Sequence, residues 1–486
     1  MPPVAMPHPH VPSLVPAETP VGEVQRLFAG QRATALALRR STAAERIAKL
    51  RRLCQLLLDR REAIMAACQA DFGKPAAEVE TSEILPVVSE ARLAMRRLRR
   101  WMRPRRRGAP LLLLGTRAEV RTEPRGRCLV ISPWNYPINL SLGPLVSAIA
   151  AGNTVILKPS ELTPHCAQLL AELVGELFEE GEVTVIQGGV ATAQALLELP
   201  FDHIFFTGSP AIGRRVMSAA ARHLTSVTLE LGGKSPAIVD ASANVADAAA
   251  TLVWAKFANA GQTCIAPDHV YVHAEVRAAF EQAAVAALRR LYGASETWAT
   301  NPDYCRIIAP RQLERQRELL DDALARGARL LCGGEMDAAR GHVAPTLLVD
   351  VDPEARLMQE EIFGPLLPIL EFTDLDALID TLNGSEKPLA LYVHGQDGQR
   401  IERLLTEVSA GGSCVNAALL HFMHHGLPFG GVNHSGIGQS HGHAGYLAFS
   451  HERAVLRDRF SLAFLFRPPY TAMTRRLIRL ATRWLG

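Results

Sequence analysis

The chain has eight cysteines but no Cys-x-x-Cys pair: Cys54, Cys68, Cys128, Cys166, Cys264, Cys305, Cys332 and Cys414 lie far apart. This excludes a zinc ribbon and a dithiol redox motif, and scattered thiols in a large protein read as reduced and cytoplasmic. No uninterrupted apolar run reaches about 18 residues, which argues against a spanning helix. The first residues, MPPVAMPHPHVPSLVPAETP, carry prolines where a secretory signal needs an apolar run, so 1–20 reads as a disordered lead-in. Net charge is scarce as well. At +3 it is too small to point to a nucleic-acid or acidic partner.

What remains is ordinary globular material: 48% hydrophobic residues in 486, too many for one core, so two or three domains are expected. From about 21 to 103 the spacing predicts helices, with Thr42 and Glu45 as a capping box and Gly73 as a stop. From GRCLVISPW onward, short β-rich runs alternate with helical ones. CLVISP precedes a helix at 138–150, TVILKP another at 165–179, and VTVIQGG and HIFFTG repeat the pattern. Such alternation predicts βαβ units in a parallel sheet, with ligands beyond the strand C-termini. A second alternating block begins near Gly232. The segment 104–127 suits a projecting hairpin, and LPFGGVNHSGIGQSHGHAG reads as a functional loop.

Residues able to do chemistry fall at the strand ends. FANAGQTCIAPDHV sets Cys264 in a small, nearly uncharged stretch, where it is either a buried hydrophobe or a nucleophile. HIFFTGSPAIGRRV places Gly208, Ser209 and Gly213 at a strand-to-helix turn, a geometry that lets backbone approach a phosphate; alone it is as readily a tight turn. ILKPSE adds Lys158, Ser160 and Glu161. ISPWNYP holds Trp134 and Asn135 between two prolines, and an asparagine amide held there either donates to an oxyanion or closes its own turn. TLELGGKSP puts Glu230 in an apolar strand, as a structural partner or as a poised base with a raised pKa.

Taken in order, PWNYP, ILKPSE, FFTGSPAIG, LELGGKSP, NAGQTC and QEEIFGP closely resemble the aldehyde dehydrogenase superfamily over roughly residues 40 to 470. The resemblance implies an α/β fold: a doubly wound parallel-sheet cofactor domain (21–104 and 127–231), an α/β catalytic domain (232–418), and a small oligomerisation hairpin with bridging elements (105–126 and 419–460). A tail helix follows at 461–486. It implies Cys264 as the nucleophile that forms a thiohemiacetal, and Asn135 with the Cys264 backbone N–H as oxyanion donors. Glu230 is then the base that activates water against the thioester, with Glu361 as a rival. NAD or NADP is the implied cofactor. Lys158 and Glu161 would hold its adenosine ribose, Gly208 to Gly213 its pyrophosphate, and Glu361 and Phe363 its nicotinamide end; Trp134, Ser160 and Ser209 complete the set.

Within the superfamily, VNAALLHFMHHGLPFGGVNHSGIGQSHGHAGYLAFSH resembles the class 3 branch. NPDYCRIIAPRQLERQRELLDDA and SHGHAGYLAFSH resemble bacterial coniferyl aldehyde dehydrogenases. An aromatic aldehyde and a homodimer are the implied substrate and assembly; the alternative is a long-chain aliphatic aldehyde enzyme resting on a membrane. Asn433-His434 stands where a glycine is usual, and Ser440 where a tyrosine is. An intact Cys264, Glu230 and Asn135 argue against a vestigial site, and Glu230 argues against acyl transfer to coenzyme A.

Three signals are set aside. The histidines at 421, 424, 425, 434, 441 and 443 crowd one segment, but metal sites pair such spacing with defined geometry and acidic or thiolate partners, and the resemblance accounts for several of them without a metal, so none is expected. RRLRRWMRPRRRG, from Arg96, reads as a solvated helix face, with Trp101 meeting another domain or subunit. In the tail, Met473, Leu477, Leu480 and Trp484 share one helical face and Arg475, Arg479 and Arg483 another. That face is expected to dock on protein rather than on an anionic membrane, where one short helix binds only weakly.

Overall fold

A computed structural model describes residues 18–110, 113–460 and 467–484, apart from the side chain of Trp484. The lead-in falls outside the described residues except for 18–20, as does SLAFLF at 461–466.

The helical opening forms as the periodicity predicts, through Val21–Leu38, Ala43–Asp59, Arg61–Phe72 and Leu85–Trp101. The Thr42 hydroxyl accepts from the Glu45 N–H at 3.3 Å, and Glu45 accepts from the Thr42 N–H at 2.6 Å, so the capping box is closed in both directions. Gly73, at φ +69°, stops its helix in the left-handed region that glycine enters without strain. Trp101 packs on His443 and Tyr446 with ring centroids 5.5 Å away, and so ties this helix to the C-terminal part of the chain.

The strands expected from CLVISP, TVILKP, VTVIQGG and HIFFTG all join one six-stranded sheet. Its spatial order is Gly436–Ile437, Ser226–Leu231, His203–Gly208, Arg127–Ile131, Thr154–Lys158, Val183–Val185, and every pairing is parallel except the first. The chain winds outward from Arg127–Ile131 in one direction and then returns to its other side. The ends of Ile131 and Gly208 therefore flank a topological switch point, where crevices open in doubly wound sheets.

A seven-stranded sheet follows in the order Arg329–Cys332, Thr346–Val349, Leu366–Phe372, His269–His273, Pro236–Val239, Ala390–His394, Gly412–Val415. Its strands lie parallel save the first. The third sheet is small and antiparallel. Arg105–Arg107 pairs with Thr116–Pro124, which pairs along nine residues with Ser450–Asp458. The glycine- and histidine-rich segment is more ordered than a loop: its Gly436 pairs with Glu230, and it continues into the helix Gly442–Ala448.

Beneath the turn that carries Asn135 lies a fully buried ion pair, Lys74 to Glu83 at 2.8 Å, with neither side chain exposed. The second Glu83 oxygen accepts the N–H groups of Ile138 and Asn139 at 3.1 and 2.9 Å, capping the helix Asn139–Ala151. Lys74 also sits 3.8 Å from the centre of the Tyr136 ring. Its charge is thus met by a carboxylate and an aromatic face, the condition under which a buried ammonium is tolerated.

Candidate active site

Cys264 sits in a turn between the two large sheets, entered by three successive residues with positive φ: Asn259 (53°), Ala260 (50°) and Gly261 (73°). Gly261 has a packing reason to be glycine, since a Cβ there would lie 2.3 Å from the Gly364 carbonyl oxygen. Asn259 donates to the carbonyls of Asn135 (3.0 Å) and Gln262 (3.1 Å), and Asn135 Nδ2 donates to the same Gln262 carbonyl at 2.9 Å. The asparagine turn and the cysteine turn are therefore bolted together, with one amide N–H of Asn135 left over.

Glu230 ends the strand Ser226–Leu231, is 5% exposed, and has no hydrogen-bond partner for either carboxylate oxygen. Burial pushes its pKa up to about 8. The neighbouring Ser440 hydroxyl offers little relief because it is spent on the Phe429 carbonyl at 3.3 Å. Glu361 is pushed up to about 7 by burial, against a hydrogen bond from the Gly233 N–H at 3.1 Å. The Cys264 thiol is pushed up to about 12, first by burial and then by the Glu361 and Glu230 charges, while backbone N–H groups of its own turn pull the other way. The resting thiol is protonated, with two carboxyl groups as its candidate proton acceptors.

A cleft of about 730 Å³ opens at the switch point. Trp134, Asn135, Lys158, Ser160, Glu161, Gly208, Ser209, Glu230, Cys264, Glu361 and Phe363 all line it. Gly213 is not in that lining. It packs one turn into the helix Pro210–Ala221, where a Cβ would come within 2.7 Å of Leu231. Ser209 caps that helix, whose N-terminus faces the cleft. At Gly208 a Cβ would lie 2.5 Å from the Phe206 ring. In the cleft lining Lys158 bonds Glu161 at 3.4 Å, and Phe363, at φ +48°, meets the Trp134 ring edge-on at 5.4 Å. A cleft of this volume at the switch point, with bare backbone and a helix N-terminus in its lining, fits a dinucleotide.

Several supporting residues have no signal of their own in the sequence. Lys234 forms an ion pair with Asp268 and also donates to the carbonyls of Leu357 (2.8 Å) and Glu360 (3.0 Å). Asp268 accepts the Ile362 N–H at 2.8 Å, and Arg315 holds the carbonyls of Glu361 (2.6 Å) and Ile362 (2.8 Å). Together they fix the segment that presents Glu361 and Phe363. Lys234 and Asp268 stand inside the glutamate and cysteine motifs, so sequence proximity was the available clue. Arg215 and Arg222 bring positive charge to the cleft from the helix after Gly208. A second, smaller cavity of about 50 Å³ also reaches Cys264 and Glu230, and extends to Glu90, His425 and His441. Among the described residues no group of three or more His, Cys, Asp or Glu is placed to hold a metal ion.

Gly232 is where this arrangement is least forgiving, because a Cβ there would lie 2.3 Å from both Glu361 carboxylate oxygens. Gly232→Ala is therefore expected to displace Glu361 and weaken NAD or NADP binding by on the order of tenfold or more, as misplacing one charged contact does. Fluorescence titration with the reduced cofactor checks this; unchanged affinity would show that Glu361 does not contribute to the cleft.

The aldehyde dehydrogenase family model matches residues 11–455. A Pseudomonas aeruginosa protein described as a probable coniferyl aldehyde dehydrogenase is 41% identical over 94% of this chain and 96% of its own. Human aldehyde dehydrogenase family 3 member B1 is 43% identical over 85% of this chain and 86% of its own. Among solved structures, the substrate-bound state of Staphylococcus aureus AldH superposes with a TM-score of 0.90 at 37% identity, covering 94% of this chain and 99% of that one. PnpE from Pseudomonas sp. WBC-3, in complex with nicotinamide adenine dinucleotide, superposes at 0.83 with 27% identity, covering 91% of each. With Cys264, Glu230 and Glu361 lining one cleft at the switch point, and with relatives of this extent, the chain belongs to the aldehyde dehydrogenase family.

Proposed function

We propose that the protein oxidises an aromatic, coniferyl-type aldehyde to its carboxylic acid with NAD or NADP, through a covalent intermediate on Cys264. The observation that carries the reading is that Cys264 lines both the large cleft and the small cavity, with Glu230 beside it in each. As Sγ adds to the aldehyde carbon, its proton passes to a carboxyl group. The oxyanion is met by the spare Asn135 amide N–H and the Cys264 backbone N–H, and one such donor is worth roughly 3 kcal/mol. NAD or NADP, when bound, supplies the hydride acceptor that makes the reaction an oxidation. Lys158, Ser160 and Glu161 would hold its adenosine end, Gly208 and Ser209 the phosphates, and Trp134, Glu361 and Phe363 the nicotinamide end; Gly213 would act from behind, by letting the helix pack close. Glu230 then removes a proton from water as it attacks the thioester. Glu361 is tethered to Gly233, whereas both Glu230 oxygens are free, which favours Glu230 as the base.

The Pseudomonas aeruginosa relative supports the aromatic substrate. A Staphylococcus aureus relative, 40% identical and named 4,4'-diaponeurosporen-aldehyde dehydrogenase, supports the long-chain alternative. The edge strand Ser450–Asp458, nine residues long and largely exposed, supports a homodimer, because such an edge is a template for pairing. No helix among the described residues is long and apolar enough to cross a membrane; a cytoplasmic enzyme is proposed. On the tail helix Ala472–Trp484, Met473 and Leu480 are 64% and 46% exposed, so its apolar face is not packed against its own chain. We assign that face to a second subunit.

Cys264→Ala is expected to abolish turnover while cofactor binding survives, and Glu230→Gln to give a burst of about one NADH per site followed by slow turnover. Since a base must be ionised and Glu230 loses its proton near pH 8, wild-type hydrolysis should rise with pH up to about 8. Stopped-flow absorbance checks both, and unchanged steady turnover in Glu230→Gln would transfer the base role to Glu361. Coniferaldehyde should give the higher kcat/KM in a panel against long-chain alkanals with both cofactors; a reversed order would select the alternative. Deleting 472–486 should alter the sedimentation of the assembly and leave turnover of a small aldehyde intact, whereas salt-sensitive binding of the full chain to anionic vesicles, lost on deletion, would assign the tail to a membrane surface.

A further inference from the structure

The cations of the large cleft are matched by carboxylates except at one residue. Lys158, Arg215, Arg222 and Arg315 line it. Lys158 bonds Glu161 at 3.4 Å, Arg222 meets both Glu198 oxygens at 2.6 and 2.8 Å, and Arg315 pairs with Glu360 at 3.2 Å. Arg215 has neither a carboxylate nor a hydrogen-bond partner among the described residues, and it is exposed. Its neighbour Arg214 lies outside the lining and contacts His434 Nδ1 at 3.2 Å. One guanidinium is thus left uncompensated inside the cleft.

Its place along the cleft follows from the helix that carries it. On Pro210–Ala221 the cleft-lining residues are Ile212, Arg215 and Ala219, with Arg222 just past the end, a spacing of three and four that is one helical face. Ser209 caps the start of this helix, and the rise from there to Arg215 is about 9 Å. A pyrophosphate at the helix N-terminus therefore leaves Arg215 about one ribose further along. On the sheet, Ile131 pairs in register with Lys158 on one side and Phe206 on the other, so Lys158 stands two strands, about 10 Å, from the strand that leads into the helix. An adenosine ribose held by Lys158 and Glu161 lies across that gap, on the side that Ile212, Arg215 and Ala219 face. The helix Val190–Leu197 adds no charge to the lining, and the Gly189 N–H at its start is already taken by Glu18 at 2.9 Å.

We propose that Arg215 receives the 2′-phosphate of NADP and makes this chain prefer NADP to NAD. This rests on the reading of the cleft as the dinucleotide site, with the adenosine end at Lys158 and Glu161. At that ribose NAD presents only hydroxyls, whereas NADP presents a phosphate with about two negative charges near neutral pH. A guanidinium offers a phosphate two parallel N–H donors in a fixed plane. In dinucleotide folds an acidic residue selects the 2′-hydroxyl, and an arginine beside it accommodates the 2′-phosphate. Both types stand in this lining. Glu161 alone would favour NAD and repel the phosphate. Its side chain is 37% exposed, however, and Lys158 can give a phosphate oxygen the contact it now gives the carboxylate, which frees Glu161 to turn to solvent. Glu198 does not compete for Arg215, because both of its oxygens are spent on Arg222. With no anion on NAD for Arg215 to meet, the discrimination comes from the one group that only NADP carries.

Fluorescence titration with NADPH and with NADH measures both affinities without turnover. The wild-type chain is expected to bind NADPH more tightly, and Arg215→Gln to lose on the order of tenfold or more for NADPH while NADH changes by less than about twofold. In competition, 2′,5′-ADP should displace NADPH from the wild type more readily than ADP does, and Arg215→Gln should erase that advantage. Equal losses for the two cofactors would mean that Arg215 stacks on the adenine or serves the fold, and would overturn the proposal. So would a wild type that prefers NADH, or unchanged affinities in the variant. Ile212→Glu, which sets a carboxylate one turn nearer the helix N-terminus on the same face, separates the two claims. If it leaves both affinities as in the wild type, the cleft is not the dinucleotide site; if it weakens both while Arg215→Gln alters neither, the phosphate assignment alone fails.

Discussion

Desolvation of one thiol and two carboxyl groups at the seam between the sheets is the constraint on which the rest depends. Burial raises Cys264, Glu230 and Glu361 together, so that each holds a proton more tightly than it would in water. The two carboxyl groups are brought near the pH at which a base works best, while the thiol is disarmed until a carboxylate accepts its proton. A solvated site with the same residues would have a more acidic thiol and carboxylates too weak to activate water.

The scaffold treats its other buried charges differently. Lys74 and Glu83 are paired with each other and capped by backbone, and Lys234 and Asp268 are paired and hydrogen-bonded to the segment they hold. Those charges fix positions: the first pair sets the Asn135 turn, the second the Glu361 segment. Glu230 has no such partner. The contrast separates function from support more sharply than burial does, since Lys74, Glu83, Asp268 and Glu230 are all removed from water but Glu230 alone among them is left unpaired.

Local chemistry made part of this readable in the sequence. The capping box at Thr42, the stop at Gly73 and the strands ending at Lys158 and Gly208 follow from neighbouring residues, and the structure forms each of them. The cleft-lining residues were readable because each stands within a compact motif, several of them at strand ends. What stayed hidden depends on distant partners. Lys74 looks like any surface lysine until Glu83 and Tyr136 close over it. Gly436 reads as loop until it pairs with Glu230, more than two hundred residues earlier. At Gly213, a glycine at phosphate-loop spacing, the structure adds a packing reason, since a Cβ there would meet Leu231. Glu90 and His425 carry no motif at all, and their proximity follows from the helix Leu85–Trp101 lying against the segment before Phe429.

Ser440 links the two cavities to the choice of substrate. A tyrosine in its place would carry a bulky ring and a hydroxyl into the lining shared with Glu230 and Cys264. Serine leaves that space to the cavity and turns its own hydroxyl to the Phe429 carbonyl, so Glu230 keeps both oxygens free. The exchange lowers the steric bulk beside the nucleophile, and the Ser440 side chain only partly offsets the burial that makes Glu230 a stronger base. A single small residue therefore bears on the shape offered to the aldehyde and on the proton affinity of the group that completes the reaction. For this reason the two properties should not be expected to vary independently among members of the family that differ at this position.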